Sequence, residues 1–212
     1  MLLQLPGVVG TRAYSMVNFA EKTDRLEFVI KQLKGGKCSE WLFDQQPLET
    51  DVTLFGPLGH AIFEPQLKHD LLLLAGGSGI AGMMAMLEHA DKIGYMQANT
   101  VELIFGVRSE DDIFFMQSLR EYATRHPDKL QITVALSDVE TGSDTHNLAE
   151  TDLPENLKIE CGFVHEHIDD SRTNENTMAF IAGPPPMVDA SIRELIAACE
   201  LNVERIRYDK FA

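Results

Sequence analysis

Apolar and polar positions follow two different patterns along the chain, and the change falls near residue 66. Before it, the runs MLLQL, RAYSMV, RLEFVIKQL and DVTLFG are separated by glycine- and proline-containing turns, which is typical of antiparallel strands. After it, LLLLA, TVELIFG, LQITVAL, MAFIAG and RIRYDKF are apolar on both faces, as the strands of a covered parallel sheet are. The pattern predicts an antiparallel β domain at residues 1–66 and an α/β domain at residues 67–212.

Helical periodicity fills the intervals between the apolar strands of the second part. It predicts helices from about Ile80 to Ile93, from Ile113 to Arg125 and from Met187 to Cys199. The polar segment 138–156 is expected to form a long surface loop. The second domain is therefore a Rossmann-like parallel sheet with helices on both faces.

Composition narrows the classes of partner. A formal net charge of -15 argues against non-specific nucleic-acid binding, so an anionic ligand would have to be held locally by backbone amides or single arginines. The three cysteines, Cys38, Cys161 and Cys199, are too scattered for a disulfide framework, a zinc site or an iron–sulfur cluster. No apolar run approaches the roughly 20 residues of a membrane span, and the start lacks signal-peptide features, so a cytoplasmic location without a membrane partner is expected.

The segment LLLLAGGSGIAGMMAML places glycines between a buried strand and a helix. Such a turn lets the backbone approach a pyrophosphate at a helix N-terminus, so Gly77, Ser78, Gly79 and Ile80 are predicted to bind a dinucleotide. An ordinary strand-to-helix turn would need only one glycine. An ordinary dehydrogenase is the other alternative, but its acidic residue should end the second strand, whereas Glu102 lies at the beginning of TVELIFG.

Charged residues follow the second apolar strand in FGVRSEDDIFF. Glu110 or Asp111 can accept a hydrogen bond from a free ribose 2'-hydroxyl and would repel a 2'-phosphate, which favours NADH over NADPH. Arg108 weakens this preference, because its guanidinium can bind the 2'-phosphate of NADPH. The acidic residues also suit a helix start, where they complement the helix dipole.

A stiff loop follows a later strand in FIAGPPPMVDA, where Gly183, Pro184, Pro185 and Met187 can hold a planar ring. Together with RAYS, GGSGIAG and FGVR, this segment resembles the ferredoxin-NADP reductase superfamily, and within it the NADH-dependent reductase components of bacterial aromatic-ring and alkane oxygenases. The resemblance implies a flavin-binding antiparallel barrel before the α/β domain. It also implies hydride transfer from NADH to FAD, then single electrons to an iron–sulfur protein or oxygenase component.

The resemblance assigns flavin contacts to two segments. It implies that Arg12 binds a flavin phosphate, that Tyr14 packs on the ring and ribityl chain, and that Ser15 hydrogen-bonds near the reactive ring nitrogen. It also implies a second phosphate segment in GGKCSE, which favours FAD over FMN. This segment consists of Gly36, Lys37, Cys38 and Ser39.

Phe211 in RYDKFA resembles the aromatic residue that lies close to the flavin in the family. Ser15, Tyr14 and Phe211 are therefore the candidate catalytic residues. Plainer alternatives remain for each segment: a half-buried strand with a solvent-exposed arginine, a helix capped by Ser39, and simple packing of Phe211. His165 and His167 have no further ligand placed to complete a metal site, so no metal is expected.

The chain departs from the family pattern at three places. Ala182 replaces a cysteine beside the nicotinamide, and Gly82 replaces a proline at the start of a helix. About two barrel strands and any ferredoxin-like domain are missing in front of MLLQLPGV. We therefore expect a fragment, a barrel completed by another chain, or weak flavin binding. The rival hypothesis is a non-catalytic NAD-binding or interaction module that has lost its flavin.

Overall fold

The computed structural model describes residues 1–19, 23–44, 49–59, 61–139 and 153–211, which form two separate sheets. The first sheet is antiparallel and consists of β1 (Leu2–Gln4), β2 (Arg12–Ala13) and β3 (Thr53–Phe55) in the order β2-β1-β3. One short helix, α1 (Lys37–Asp44), packs beside it. This region is the partial antiparallel barrel that the sequence predicted.

The second sheet has six parallel strands in the order β7-β6-β5-β4-β8-β9. Its strands are β4 (Asp70–Gly76), β5 (Val101–Val107), β6 (Leu130–Leu136), β7 (Leu157–Cys161), β8 (Thr177–Gly183) and β9 (Ile206–Lys210). Its helices are α2 (Ile80–Lys92), α3 (Met116–Arg125) and α4 (Pro185–Ala197). In the described part of the chain, no helix combines the length and the apolar character that a membrane crossing requires.

Both faces of the parallel sheet are covered. Along β4, Leu71 and Leu73 belong to a buried cluster with residues of α2 and α3, whereas Leu72 and Leu74 belong to a second cluster with residues of α4. This alternation follows from the two-residue period of a strand. Because both faces of β4 are covered, consecutive residues of the strand are apolar. The predicted Rossmann-like sheet with helices on both faces is confirmed.

Strand order creates a crevice at one edge of this sheet. The chain runs outward from β4 through β5 and β6 to β7, and then returns to β8 on the other side of β4. The loops that follow β4 and β8 therefore leave the sheet in opposite directions. In open α/β sheets such a switch point, at the carboxyl ends of the strands, is where ligands bind.

The predicted strand RLEFVIKQL is wrong. Among the described residues of this segment, only Phe28 forms a bridge, with Met16, because no neighbouring strand is placed to pair along its whole length. The prediction missed β7, a short edge strand whose exposed positions, Lys158 and Glu160, weaken its apolar signal. Most of the predicted loop 138–156 lies outside the described residues.

Helix starts also differ from the prediction. The third helix α3 begins at Met116 and not at Ile113, because Phe115 adopts a left-handed conformation with φ of 62° that interrupts the helix. The last helix α4 begins two residues early, at Pro185, because proline is well suited to the first helical position.

Candidate functional site

The glycine-rich loop connects β4 to α2 at the switch point. Gly77 has φ of +52°, and no atom lies within 4 Å of a Cβ placed on it, so its backbone faces open space. Gly79 is the opposite case, because a Cβ there would lie 2.1 Å from the carbonyl oxygen of Ala182. The loop is therefore pressed against the end of β8 on one side and open on the other. Its open side and the N-terminus of α2 suit an anionic group such as a pyrophosphate.

The proline-rich loop after β8 packs directly on the glycine-rich loop. A Cβ placed on Gly76 would lie 2.6 Å from the sulfur of Met187 and 2.9 Å from Cδ of Pro184. Gly183 is buried and Pro185 is exposed in the first turn of α4. The structure thus brings together the two predicted nucleotide segments, which are about a hundred residues apart in sequence.

Phe211 reaches the same edge from the end of β9. Lys210 pairs with Gly183, and the Phe211 N–H donates to the carbonyl oxygen of Gly183 at 3.2 Å. The half-buried Phe211 ring packs against the cluster on the α2 side of the sheet. This placement puts an aromatic ring at the crevice, while its contact with a flavin stays a prediction.

The segment that contains Arg12 and Tyr14 runs along the edge of the small sheet. The Tyr14 N–H donates to the carbonyl oxygen of Met1, and the amino group of Met1 donates to the carbonyl oxygen of Tyr14, both at 2.9 Å. The Tyr14 hydroxyl lies 3.4 Å from the sulfur of Cys38, and either group can donate. Two predicted flavin segments, RAYS and GGKCSE, therefore meet at this pair.

Burial raises the pKa of Tyr14 well above its usual range, and the hydrogen bond and charge of Cys38 raise it further. The guanidinium of Arg12 lowers this pKa by a smaller amount. The Tyr14 hydroxyl therefore stays protonated at neutral pH. Because Arg12 itself is exposed, its charge is accessible to an anionic group.

The second predicted phosphate segment forms the start of α1. A Cβ on Gly36 would lie 2.7 Å from the Ser39 hydroxyl oxygen, so only glycine fits there. The exposed Lys37 opens the helix beside it. Ser39 is buried, accepts from the Leu33 N–H at 3.0 Å, and can donate to the carbonyl oxygen of Gly36 at 3.0 Å. The Ser39 hydroxyl thus bonds to the backbone of the loop 33–36 that precedes α1. The alternative that Ser39 is the cap of this helix is wrong, because Ser39 lies within α1.

Ser15 connects the two halves of the site. Its Cβ lies 3.9 Å from a Cβ placed on Gly82, in the first turn of α2 directly after the glycine-rich loop. Ser15 therefore lies beside the first turn of α2, which follows the predicted nucleotide loop. The exposed cations Arg12 and Lys37 suit the phosphates of FAD, and the open backbone of Gly77 before α2 suits the pyrophosphate of NADH, so the residues present fit both groups.

The charged residues after β5 lie at the same edge of the sheet. Arg108 is exposed, and Glu110 and Asp111 belong to a short 3₁₀ helix, Glu110–Asp112. Because α3 begins only at Met116, complementing the dipole of α3 does not account for these acids. Their role toward a ribose stays a prediction.

Glu102 lies near the opposite, amino end of β5. Burial raises its pKa, and its ion pair with Arg172 is long, at 3.8 Å. It is therefore too far along the strand to reach a ribose at the carboxyl edge, which removes the acidic residue that an ordinary dehydrogenase fingerprint requires.

The paired histidines, His165 and His167, each contact a neighbouring side chain of this protein. His167 Nδ1 lies 3.1 Å from Glu160, and the His165 ring stacks with Phe163 at a centroid distance of 5.9 Å. In the described ranges, no group of three or more His, Cys, Asp or Glu side chains is arranged to hold a metal ion.

Sequence reasoning missed one set of residues at the boundary of the two sheets. Phe19 stacks on His89 of α2, and Phe63 packs edge-on against the same ring. Glu88, His89 and Lys92 resemble an ordinary solvated helix face in the sequence. No local pattern distinguishes them, because their partners come from distant segments.

Two family models match the chain. The oxidoreductase FAD-binding domain matches residues 1–63, and the oxidoreductase NAD-binding domain matches residues 73–192. The toluate 1,2-dioxygenase electron transfer component of Pseudomonas putida is 32% identical over 99% of this chain and 56% of its own length. The phenol 2-monooxygenase reductase component DmpP of Pseudomonas sp. strain CF600 is 29% identical over 92% of this chain and 51% of its own length. The chain thus spans little more than half of these relatives.

Solved structures show the same likeness. The cytochrome P450 reductase GcoB of Amycolatopsis aligns with a TM-score of 0.81 at 25% identity, over 99% of this chain and 59% of its own. The ferredoxin reductase in carbazole 1,9a-dioxygenase aligns with a TM-score of 0.75 at 28% identity, over 100% of this chain and 59% of its own. The chain therefore belongs to the oxidoreductase NAD-binding domain family, within the ferredoxin-NADP reductase superfamily, and carries an FAD-binding domain in front of its NAD-binding domain.

Proposed function

We propose that this chain is an NADH-dependent flavin reductase that supplies electrons to an oxygenase system. The observation that carries the proposal is the approach of Ser15 to Gly82 in the first turn of α2, the helix that begins at the glycine-rich loop. Hydride transfer requires donor and acceptor rings to be held in contact, and positioning them is the protein's main contribution. The matching FAD-binding and NAD-binding family models support this function.

The proposed FAD contacts come from the small sheet and α1. Arg12 and Lys37 would neutralise phosphate charge, and Tyr14 would pack on the flavin. The proposed NADH contacts come from the two loops at the switch point and from the end of β5. They are Gly77, Ser78, Gly79 and Ile80 for the pyrophosphate, Glu110 or Asp111 for the ribose, and Gly183, Pro184, Pro185 and Met187 for the nicotinamide.

The bound flavin would accept a hydride from NADH and release electrons one at a time. The chain's own residues would orient the flavin and the nicotinamide and enclose them. The Tyr14 hydroxyl, which is neutral at neutral pH and lies 3.4 Å from the Cys38 sulfur, would add no charge beside the flavin. The Ser15 hydroxyl would hydrogen-bond near the reactive ring nitrogen, and Phe211 would lie close to the flavin at the end of β9. No general acid or nucleophile is needed, because the cofactors carry the chemistry.

An oxygenase component or an iron–sulfur protein is the proposed electron acceptor. The relatives described above are electron transfer and reductase components of oxygenases, which supports this choice. We assign residues 1–66 to the flavin domain and 67–212 to the NAD domain. The family models support that division, since one ends at residue 63 and the other begins at 73. A cytoplasmic location and completion of the barrel by another chain stay predictions.

One observation favours the rival function, a nucleotide-binding module without flavin. Among the described residues, the small sheet has three strands; Phe55 in β3 is 65% exposed, and Val9 in the loop between β1 and β2 is 86% exposed. A sheet this open has little apolar area to hold a cofactor against. The rival keeps the α/β domain and its NADH contacts but discards the roles of Arg12, Tyr14 and Ser15.

Absorbance spectroscopy separates the two functions. We expect the purified chain, reconstituted with FAD and freed of excess, to show a visible flavin spectrum that bleaches when NADH is added without oxygen. NADPH should bleach it more slowly if Glu110 or Asp111 binds the ribose. A chain that binds NADH but retains no FAD would establish the rival, and failure to bind either would reject both.

A further inference from the structure

The carboxyl-terminal half of α2 binds a segment that continues directly from the proposed flavin contacts. Phe19 lies four residues after Ser15, and its ring stacks on His89 with a centroid distance of 3.8 Å and an interplanar angle of 8°. Aromatic stacking of this kind contributes about 0.5–1.5 kcal/mol beyond burial. The contact therefore joins the segment that follows β2 to the NAD domain.

Both backbone polar groups of Phe19 are bound by the same helix. The Phe19 N–H donates to a Glu88 carboxylate oxygen at 2.7 Å, and Lys92 donates to the Phe19 carbonyl oxygen at 2.9 Å. Lys92 also pairs with the other oxygen of Glu88 at 2.6 Å. Hydrogen bonds to ionised groups are roughly twice as strong as neutral ones, so two charged side chains one helical turn apart bind the backbone of Phe19 on both sides of its Cα.

A second segment reaches the same histidine. Phe63, which follows the small sheet, packs edge-on against His89 at 5.2 Å and against Tyr95 at 5.0 Å. Tyr95 is buried and donates its hydroxyl to the carbonyl oxygen of His69, which fixes its ring. The chain thus enters and leaves the flavin region against one aromatic cluster on α2.

Helix α2 also carries the nucleotide loop at its other end. Ser15 approaches Gly82, and Phe19 contacts His89, seven residues later. Seven helical residues span about 10 Å, and the four residues from Ser15 to Phe19 span about 13 Å when extended. The segment 15–19 therefore runs alongside the helix and is held at both ends of that length.

We propose that Glu88, His89 and Lys92 are positioning residues that hold the segment 15–19 on α2 and so set the distance between the flavin and the nicotinamide. This inference rests on the proposed function. The three residues touch neither cofactor in the proposed site. They act through Phe19 on Ser15 and Tyr14, and a shift of about 1 Å at reacting atoms can cost about 100-fold in rate.

The test uses Glu88→Ala, with Glu88→Gln as the conservative variant. Glu121→Ala is the matched control, because Glu121 is a helical glutamate that bonds to Gln117 of its own helix at 3.1 Å. Two readouts are measured on each protein: amide hydrogen exchange at Phe19 in the cofactor-free chain, and the limiting rate of flavin reduction by NADH in stopped flow. Dissociation constants for FAD and NADH are measured alongside.

We expect Glu88→Ala to raise exchange at Phe19 and to lower the limiting rate by about 10- to 100-fold, with both dissociation constants unchanged. Glu88→Gln, which keeps an acceptor oxygen, should recover part of the rate, and Glu121→Ala should match the wild type. Unchanged exchange, or raised exchange with a wild-type limiting rate, overturns the proposal. Weakened FAD binding also overturns it and assigns the segment to cofactor retention.

The same measurements distinguish failure of the proposed function from failure of the positioning role. If the wild-type chain shows no flavin reduction by NADH, the reductase function is wrong and the positioning role falls with it. If the wild type is reduced and the variants are reduced equally fast, only the positioning role is wrong. Should Glu88→Ala not fold, His89→Ala and its stacking-competent partner His89→Phe decide the matter through the same two readouts.

Discussion

The two sheets of this protein differ in how completely each one buries its own apolar residues. In the described α/β region, one face of the parallel sheet carries a cluster of 24 buried residues and the other a cluster of 11. The corresponding cluster of the small sheet has three buried members, Leu3, Leu5 and Cys38. The α/β domain therefore has a large core of its own, whereas the small sheet has little buried apolar surface to stabilise it.

Charge divides the chain in the same way. Residues 1–66 hold 6 of the 18 basic and 8 of the 33 acidic side chains, so the small domain is close to neutral and the α/β domain carries nearly all of the negative charge. An anionic cofactor meets less repulsion on the small domain. On the α/β domain an anion has to be bound by backbone groups at the start of α2, where side-chain charge matters less.

The largest effect should come from adding a side chain at the tight contact between the glycine-rich loop and the end of β8. In Gly79→Ala the new Cβ would meet the Ala182 carbonyl oxygen at 2.1 Å, and neither backbone segment can move without breaking the sheet. We expect a loss above about 4 kcal/mol, measured by urea unfolding, together with loss of NADH binding. Gly82→Ala is the control, since its Cβ meets only Ser15 at 3.9 Å, and it should fold normally.

Core truncation tests whether the two regions unfold separately. Phe105→Ala, at a fully buried position, should cost about 3–5 kcal/mol and lower the midpoint of far-UV circular dichroism, which the α/β helices dominate. Leu3→Ala should instead lower the midpoint of Trp41 fluorescence, because the chain's single tryptophan packs against the small cluster. Coincident shifts of both probes in both variants would show one cooperative unit and remove the distinction drawn above.

Arg12→Ala should weaken FAD binding without changing NADH binding. Loss of one charge-assisted phosphate contact corresponds to about 1.5–3 kcal/mol, or about a 10- to 100-fold rise in the dissociation constant, measured by fluorescence titration. Arg25→Ala is the matched control, because Arg25 is an exposed arginine of the same domain that pairs with Glu27 at 2.9 Å. Equal FAD affinity in the wild type and Arg12→Ala would reject the role given to Arg12.

The smallest effect concerns Glu102, a half-buried acid of the α/β domain. Burial raises its pKa, so the folded state holds its proton more tightly, and stability is lost as pH rises from the unfolded to the folded pKa. Glu102→Gln should remove this loss and stabilise the protein at pH 7 by up to about 1 kcal/mol. The gain should vanish when thermal unfolding is repeated near pH 4, where the carboxyl is protonated. Glu121→Gln, on the exposed face of α3, should show neither effect.

The α/β domain was the more predictable region, and the reason is physical. Its strands are buried on both faces, so their sequences are continuously apolar, and β4, β5, β6, β8 and β9 were all predicted at nearly their observed bounds. The edge strand β7 was not predicted, because it is half exposed and its apolar pattern is weak. The small sheet was less predictable, since RLEFVIKQL has strand-forming residues but no partner of matching length.

The sequence by itself determined the two-domain organisation, the parallel sheet and the loops at Gly77–Ile80 and Gly183–Met187, because periodicity and turn chemistry are local properties. Only the tertiary structure showed that Gly79 packs against Ala182, that Tyr14 meets Cys38, and that Glu88, His89 and Lys92 clamp Phe19. Each of these contacts joins segments that no local pattern relates. Their geometry depends on strand order and on how one sheet docks against the other, which only the folded chain decides.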